Sequence, residues 1–122
     1  MCGLTGVFDS RGQRPIDRTL LQRMNDTLLH RGPDGDGFHM AGGIGLAHRR
    51  LAIIDLAGGV QPMLNDDGSV AVIFVGEIYN FQELTAELRE LGYQFRTRSD
   101  TEVIVHGWRA WGPACVERFR GM

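Results

Sequence analysis

Met1-Cys2-Gly3-Leu4-Thr5-Gly6-Val7-Phe8 opens the chain. The run from Cys2 to Phe8 is short and mostly apolar, which predicts a β-strand. Its first residue is a cysteine directly behind the initiator methionine. Methionine removal requires a small second residue, and cysteine is small enough. The product carries a thiol and a free α-amine on one residue. An α-amine has an unperturbed pKa of roughly 7.7–8.0, so it exchanges a proton near neutral pH. Nucleophile and base then arrive together at the head of a strand. The other reading is an ordinary buried thiol, and the position alone does not choose between them.

The chain has 122 residues, the size of one domain, and 43% of them are hydrophobic, enough for a core. Thirteen Lys and Arg stand against fifteen Asp and Glu, a formal net charge of -2. That balance argues against a nucleic-acid or membrane-surface partner. No stretch approaches the roughly 18 apolar residues of a spanning helix. The N-terminus lacks the basic-then-apolar pattern of a signal peptide. Cys2 and Cys115 therefore read as free thiols in a reducing, cytoplasmic setting.

Outward from the first strand, Asp9 to Pro15 is a polar turn. Asp17 caps a helix predicted over 18–29, with Ile16 and Leu21 as a hydrophobic staple. Ile16, Leu20, Met24 and Leu28 give that helix one apolar face. The loop His30 to Gly37 (HRGPDGDG) holds three glycines and a proline that fix its path. Its Asp-Gly-Asp-Gly superficially suggests a calcium loop, but the distal ligand and flanking helices are missing. Ala41-Gly42-Gly43-Ile44-Gly45 does not match a dinucleotide fingerprint. Leu51 to Ile54 predicts a buried strand with His48, Arg49 and Arg50 at its entrance. Two arginines there are solvated in the ordinary case, yet the planar fork of one can meet a carboxylate.

Asp55 to Pro62 is a loop, and Asn65-Asp66-Asp67-Gly68 predicts a hairpin. Val70 to Val75 (VAVIFV) predicts a central strand buried on both faces. Asn80 with Glu83 predicts a capping box for a helix whose buried face is Leu84, Leu88 and Leu91, ended by Gly92. Tyr93 to Arg96 predicts a short strand. Ser99 with Glu102 predicts a second capping box, for a helix with Val103, Ile104, Gly107, Trp108 and Trp111 inward. Gly112-Pro113 stops it, and Ala114 to Phe119 adds a helical turn or two. His30, His39, His48 and His106 show no metal-ligand spacing, so no metal site is expected.

Six motifs occur in order: Met1-Cys2-Gly3, His30-Arg31-Gly32-Pro33-Asp34, Ala47-His48-Arg49-Arg50-Leu51 with Ile53-Ile54-Asp55, Gln61-Pro62, Gly76-Glu77-Ile78-Tyr79-Asn80, and Ser99-Asp100-Thr101-Glu102. Each alone is weak; together they resemble the class II glutamine amidotransferase domain of the glutamine-hydrolysing asparagine synthetase family, along the whole chain. The resemblance implies an α+β fold, the αββα sandwich of N-terminal-nucleophile hydrolases, truncated at its C-terminal end. Residues 2–122 would form an incomplete type 2 amidotransferase domain, with the synthetase domain and its pyrophosphatase motif absent.

By the same resemblance, Cys2 attacks the side-chain amide of glutamine. Ammonia leaves, and water hydrolyses the thioester to glutamate. Arg50 binds the α-carboxylate and Asp100 the α-ammonium. Backbone groups of Leu51, Ile53, Ile54, Gly76 and Glu77 line the pocket, and the Gly76 N–H stabilises the oxyanion. The ammonia would pass to a synthetase domain or partner chain, asparagine biosynthesis being the implied process, and pairing of two copies is compatible with this. No cofactor is expected for this chain; ATP and magnesium would belong to the synthetase domain. One residue departs from the family pattern. Val75 stands where an asparagine supplies the second oxyanion donor. The alternative is therefore a catalytically impaired or truncated glutamine-binding module that acts by ligand binding or assembly.

Overall fold

A computed structural model describes residues 2–12, 14–52 and 59–122. The order of elements is β1 (Gly3–Phe8), α1 (Arg18–Asp26), β2 (Gly35–Ala41), β3 (Ile44–Arg50), β4 (Met63–Leu64), β5 (Ala71–Val72), α2 (Phe81–Glu90), α3 (Thr101–Trp111) and a 3₁₀ helix, Gly112–Arg118. The fold is mixed α+β with antiparallel sheets. Two compact units divide the chain: one takes Met1–Ile53, Val60–Pro62 and Ile73–Val75, the other Ile54–Gly59, Met63–Val72 and Gly76–Met122.

In the first unit β3 lies between β1 and β2, both antiparallel to it. Strand alternation puts Gly45, Ala47 and Arg49 on the face that α1 covers, and Leu46 and His48 on the other. Asp17 caps α1 as expected, accepting from Thr19 N at 2.8 Å and Leu20 N at 3.3 Å. Ile16 and Leu21 both pack over Gly45. Leu21 and Asn25 are the fully buried positions of α1, whereas Leu20 is 45% exposed, so the buried stripe is turned from the expected one. The helix ends at Asp26 rather than Leu29. The Thr27 hydroxyl donates to the Met24 carbonyl at 2.7 Å, competing for the helical ladder.

Two predictions between 30 and 54 are corrected. The loop expected to reach Gly37 gives way to β2 at Gly35, and Gly42, at φ 55°, makes the tight turn that pairs Ala41 with Ile44. The strand expected over 51–54 lies earlier, at Ile44–Arg50. Its polar end is tolerated because each side chain finds partners. Leu51 and Ala52 have no regular structure, and Ile53 and Ile54 lie outside the described residues.

In the second unit, β4 and β5 form the expected hairpin around Asn65, whose side-chain oxygen accepts from Val70 N at 3.0 Å. The anticipated central strand shrinks to Ala71–Val72, because β5 has one two-residue partner among the described residues. Leu84 and Leu88 are buried in α2, while Leu91 is 57% exposed. The 3₁₀ helix is tied to α2 by Arg118, which grips the Glu87 carboxylate at 2.7 and 2.9 Å. In α3 the inward residues are Val103, Val105, His106 and Gly107, and Trp108 is largely exposed.

Neither capping box forms as written. Asn80 makes no cap bond; its side chain instead donates to the Arg118 carbonyl at 3.0 Å and accepts from Arg120 N at 2.9 Å. Ser99 accepts from Thr101 N at 3.2 Å, but Glu102 reaches further back. Its carboxylate accepts from Arg96 N and Thr97 N at 2.8 Å each and from the Thr97 hydroxyl at 2.6 Å. The strand expected over 93–96 does not form: Tyr93 N donates to the Leu88 carbonyl and Arg96 N to Glu102, so neither is left for a ladder.

Burial raises the Glu102 pKa, but the bonds from Thr97, Arg96 and His106 outweigh it and hold the carboxyl below its ordinary value. Because folding lowers this pKa, the unfolded chain takes up the proton first as pH falls. The stability from Glu102 is complete above the ordinary Glu range, about 4.3, and is lost as pH falls below it. Glu102→Ala should therefore lower stability at pH 7 by about 2–3 kcal/mol, from charged hydrogen bonds worth roughly 1.5–3 kcal/mol. Urea titrations at pH 7 and at acid pH check this: the gap between the proteins should narrow in acid, and a constant gap contradicts the assignment.

Candidate active site

Cys2 precedes β1, whose register sets Gly3 opposite Arg49 at the far end of β3. The half-buried thiol therefore sits beside the chain leaving β3. Leu51 N donates to Sγ at 3.3 Å, and Sγ donates to the Leu51 carbonyl at 3.6 Å. Three predicted site residues, Cys2, Arg50 and Leu51, are brought together in this way. Both cysteines are free thiols, and Cys115 is fully buried.

The loop after α1 holds this corner, and residues with no role assigned from sequence do the holding. Arg31 Nε donates to the Cys2 carbonyl at 3.1 Å. Asp34 N donates to the Arg50 carbonyl at 3.0 Å, while the Asp34 carboxylate accepts from Ala52 N at 2.8 Å. Asp34 thus brackets Leu51, the residue on which the thiol rests. Gly32 lets this loop lie on the strand, because a Cβ there would fall 2.6 Å from Arg50 N. The available signal was the acid inside a loop whose glycines and proline fix its path.

Arg49 and Arg50 separate clearly. The Arg49 side chain is only 12% exposed, pairs with Asp26 at 2.5 Å and with Asp36 at 3.8 Å, and donates to the Asn25 carbonyl. The expectation that Arg49 is solvated is overturned, because its strand position faces α1. Half-buried Arg50 lies on the opposite face with His48. Burial lowers the His48 pKa and the Arg50 charge adds to that, against a hydrogen bond to the Phe74 backbone. The imidazole is therefore neutral near pH 7.

The second unit carries the other predicted residues. Asp100 is half-buried, and its carboxylate accepts from Ile78 N at 2.8 Å, fixing the segment that follows Gly76 and Glu77. Glu77 pairs through both backbone groups with Met122, at 2.8 and 3.0 Å, and Tyr79 N donates to the Arg120 carbonyl at 2.7 Å. Among the described residues, no three His, Cys, Asp or Glu side chains cluster as metal ligands, and no helix is long and apolar enough to cross a membrane.

Comparison with known proteins shows the family of the chain. The profile of the glutamine amidotransferase domain matches residues 1–122. The chain belongs to the glutamine amidotransferase domain family. Similar proteins include asparagine synthetase [glutamine-hydrolyzing] 1 of Bacillus subtilis (strain 168), 42% identical over the whole of this chain and 20% of that protein. Asparagine synthetase [glutamine-hydrolyzing] 2 of the same organism is 44% identical over the whole chain and 16% of its own length. The asparagine synthetase [glutamine-hydrolyzing] of Triphysaria versicolor is 43% identical, again over the whole chain and 20% of that protein. The chain thus spans about a fifth of the length of these relatives and matches their N-terminal glutaminase portion. As an amidotransferase domain it is an enzyme domain.

Proposed function

We propose that this amidotransferase domain hydrolyses glutamine through a Cys2 thioester and delivers the ammonia to a synthetase domain for amide formation, asparagine synthesis being the process. The observation that carries it is the Cys2 thiol resting on the Leu51 peptide beside Arg50. A nucleophile held against backbone amides, next to a planar cation, suits a substrate with a carbonyl at one end and a carboxylate at the other. In this reading Cys2 attacks the amide carbon of glutamine and its thiol proton leaves with the ammonia. Water then cleaves the thioester. Arg50 takes the α-carboxylate, Asp100 the α-ammonium, and the Gly76 N–H the oxyanion. Backbone groups of Leu51, Ile53, Ile54 and Glu77 complete the pocket. The α+β arrangement is read as part of the αββα sandwich of N-terminal-nucleophile hydrolases. ATP and magnesium are requirements of the synthetase domain rather than of these residues, and the domain works in the cytoplasm.

Arg50→Ala should weaken glutamine binding about 10- to 150-fold, the equivalent of a charge-assisted contact worth roughly 1.5–3 kcal/mol. Arg49→Ala should leave the dissociation constant within about twofold and lower the melting temperature instead, since it breaks the pair with Asp26. Calorimetric titration with glutamine and thermal unfolding of both variants check this. Equal losses of affinity would remove Arg50 from the carboxylate.

A further inference from the structure

Ile73–Val75 has no strand partner among the described residues. Backbone groups there need other partners, because buried N–H and C=O groups are costly to leave unmade. Two buried side chains of the first unit provide them. Gln61, 8% exposed, accepts the Phe74 N–H on its side-chain oxygen at 2.6 Å. His48, 1% exposed, also hydrogen-bonds the Phe74 backbone. That bond favours the protonated ring, so its acceptor is the Phe74 carbonyl. The Nε2 atom has no partner, which leaves Nδ1 as the donor.

Both residues are anchored through their backbones. His48 is held in β3, across from Leu4 and Gly37. The Gln61 backbone carbonyl lies against Gly37, where a Cβ would collide with it. With its N–H and C=O both gripped, Phe74 has its φ and ψ fixed. The chain runs on from this clamped residue through Val75 to Gly76.

We infer that Gln61 and His48 are positioning residues for the proposed hydrolysis, which clamp Phe74 and so steady the backbone that runs on through Val75 to Gly76. The inference rests on the oxyanion role proposed above for Gly76. A side-chain clamp suits this task because a catalytic dipole must be held before the reaction and not reorganised during it. It matters more here because Val75 offers no side-chain donor.

The test uses the purified protein. Gln61→Met removes the acceptor at similar size. It should lower kcat for glutamine hydrolysis about 10- to 100-fold, less than the 10²–10³ expected for complete loss of an oxyanion donor. KM should stay within about threefold, because the donor acts on the transition state. Alkylation of Cys2 by iodoacetamide should keep its wild-type rate, as it uses no oxyanion donor. Gln61→Glu retains an acceptor and should recover most of kcat. A purely structural role would instead change KM, alkylation and kcat together. Amide hydrogen exchange needs no variant: the wild-type Phe74 N–H should exchange at least about 100-fold more slowly than an unfolded chain. Unprotected exchange at Phe74, or unchanged kcat in Gln61→Met, overturns the clamp. If the wild-type protein neither hydrolyses glutamine nor is labelled at Cys2 by a glutamine analogue, the proposed function falls, and the positioning role with it, even with Phe74 protected.

Discussion

Replacing Cys2 with alanine should abolish glutamine hydrolysis, a loss on the order of 10⁶ in kcat if nucleophile and base act as one unit. Glutamine should still bind, since Arg50 and Asp100 are untouched. The wild-type protein should be found without Met1, because a preceding residue blocks the α-amine that would serve as base. 6-Diazo-5-oxo-norleucine, a glutamine-like electrophile, should label Cys2 and spare Cys115. Burial pushes the Cys115 thiol pKa up and leaves it no exposed surface, so it offers neither thiolate nor access. Cys2 is half-buried and its sulfur already accepts a hydrogen bond from Leu51 N. Intact mass, peptide mapping of the label and glutamate release settle the matter. Label confined to Cys115, or activity in a protein that retains Met1, would overturn the nucleophile assignment.

Val75→Asn should raise glutamine turnover by about 10²–10³, the typical effect of one oxyanion donor. Val75 follows the clamped Phe74 and precedes Gly76. An amide side chain there adds a donor next to the Gly76 N–H, whereas valine has none to give. The dissociation constant of glutamine should hardly change, because the added bond forms mainly with the transition state. Single-turnover glutamate release at saturating glutamine compares the two proteins directly. A ratio near one would mean that another backbone N–H or a water already fills the position. Two inactive proteins that both bind glutamine would favour the binding-module reading over the enzyme.

The sequence by itself determined the family resemblance and the local elements that short-range rules control. A cysteine behind the initiator methionine, an arginine at a strand and an acid before a helix are residue types legible in order. Asp17 as a cap and Asn65-Gly68 as a hairpin depend on neighbours a few residues away, and both formed as read. Local too was the Gly42-Gly43 hairpin signal, which was legible but masked by the loop reading of the preceding residues.

What the tertiary structure decided were the long-range partners. Asn80 and Glu102 carry cap signatures, yet their side chains bond to residues 38–40 and 5–6 positions away, which no capping pattern specifies. Arg49 and Arg50 are alike as neighbours in sequence. Strand alternation sends one under α1 to Asp26 and the other to the face of His48. The extent of β3 followed from partners for its polar end, and the shortness of β5 from how few residues pair with it. Gln61 and His48 meet Phe74 across separations of 13 and 26 residues. A single sequence contains both ends of such bonds but not the fold that brings them within reach, because hydrogen-bond partners are chosen by proximity in space.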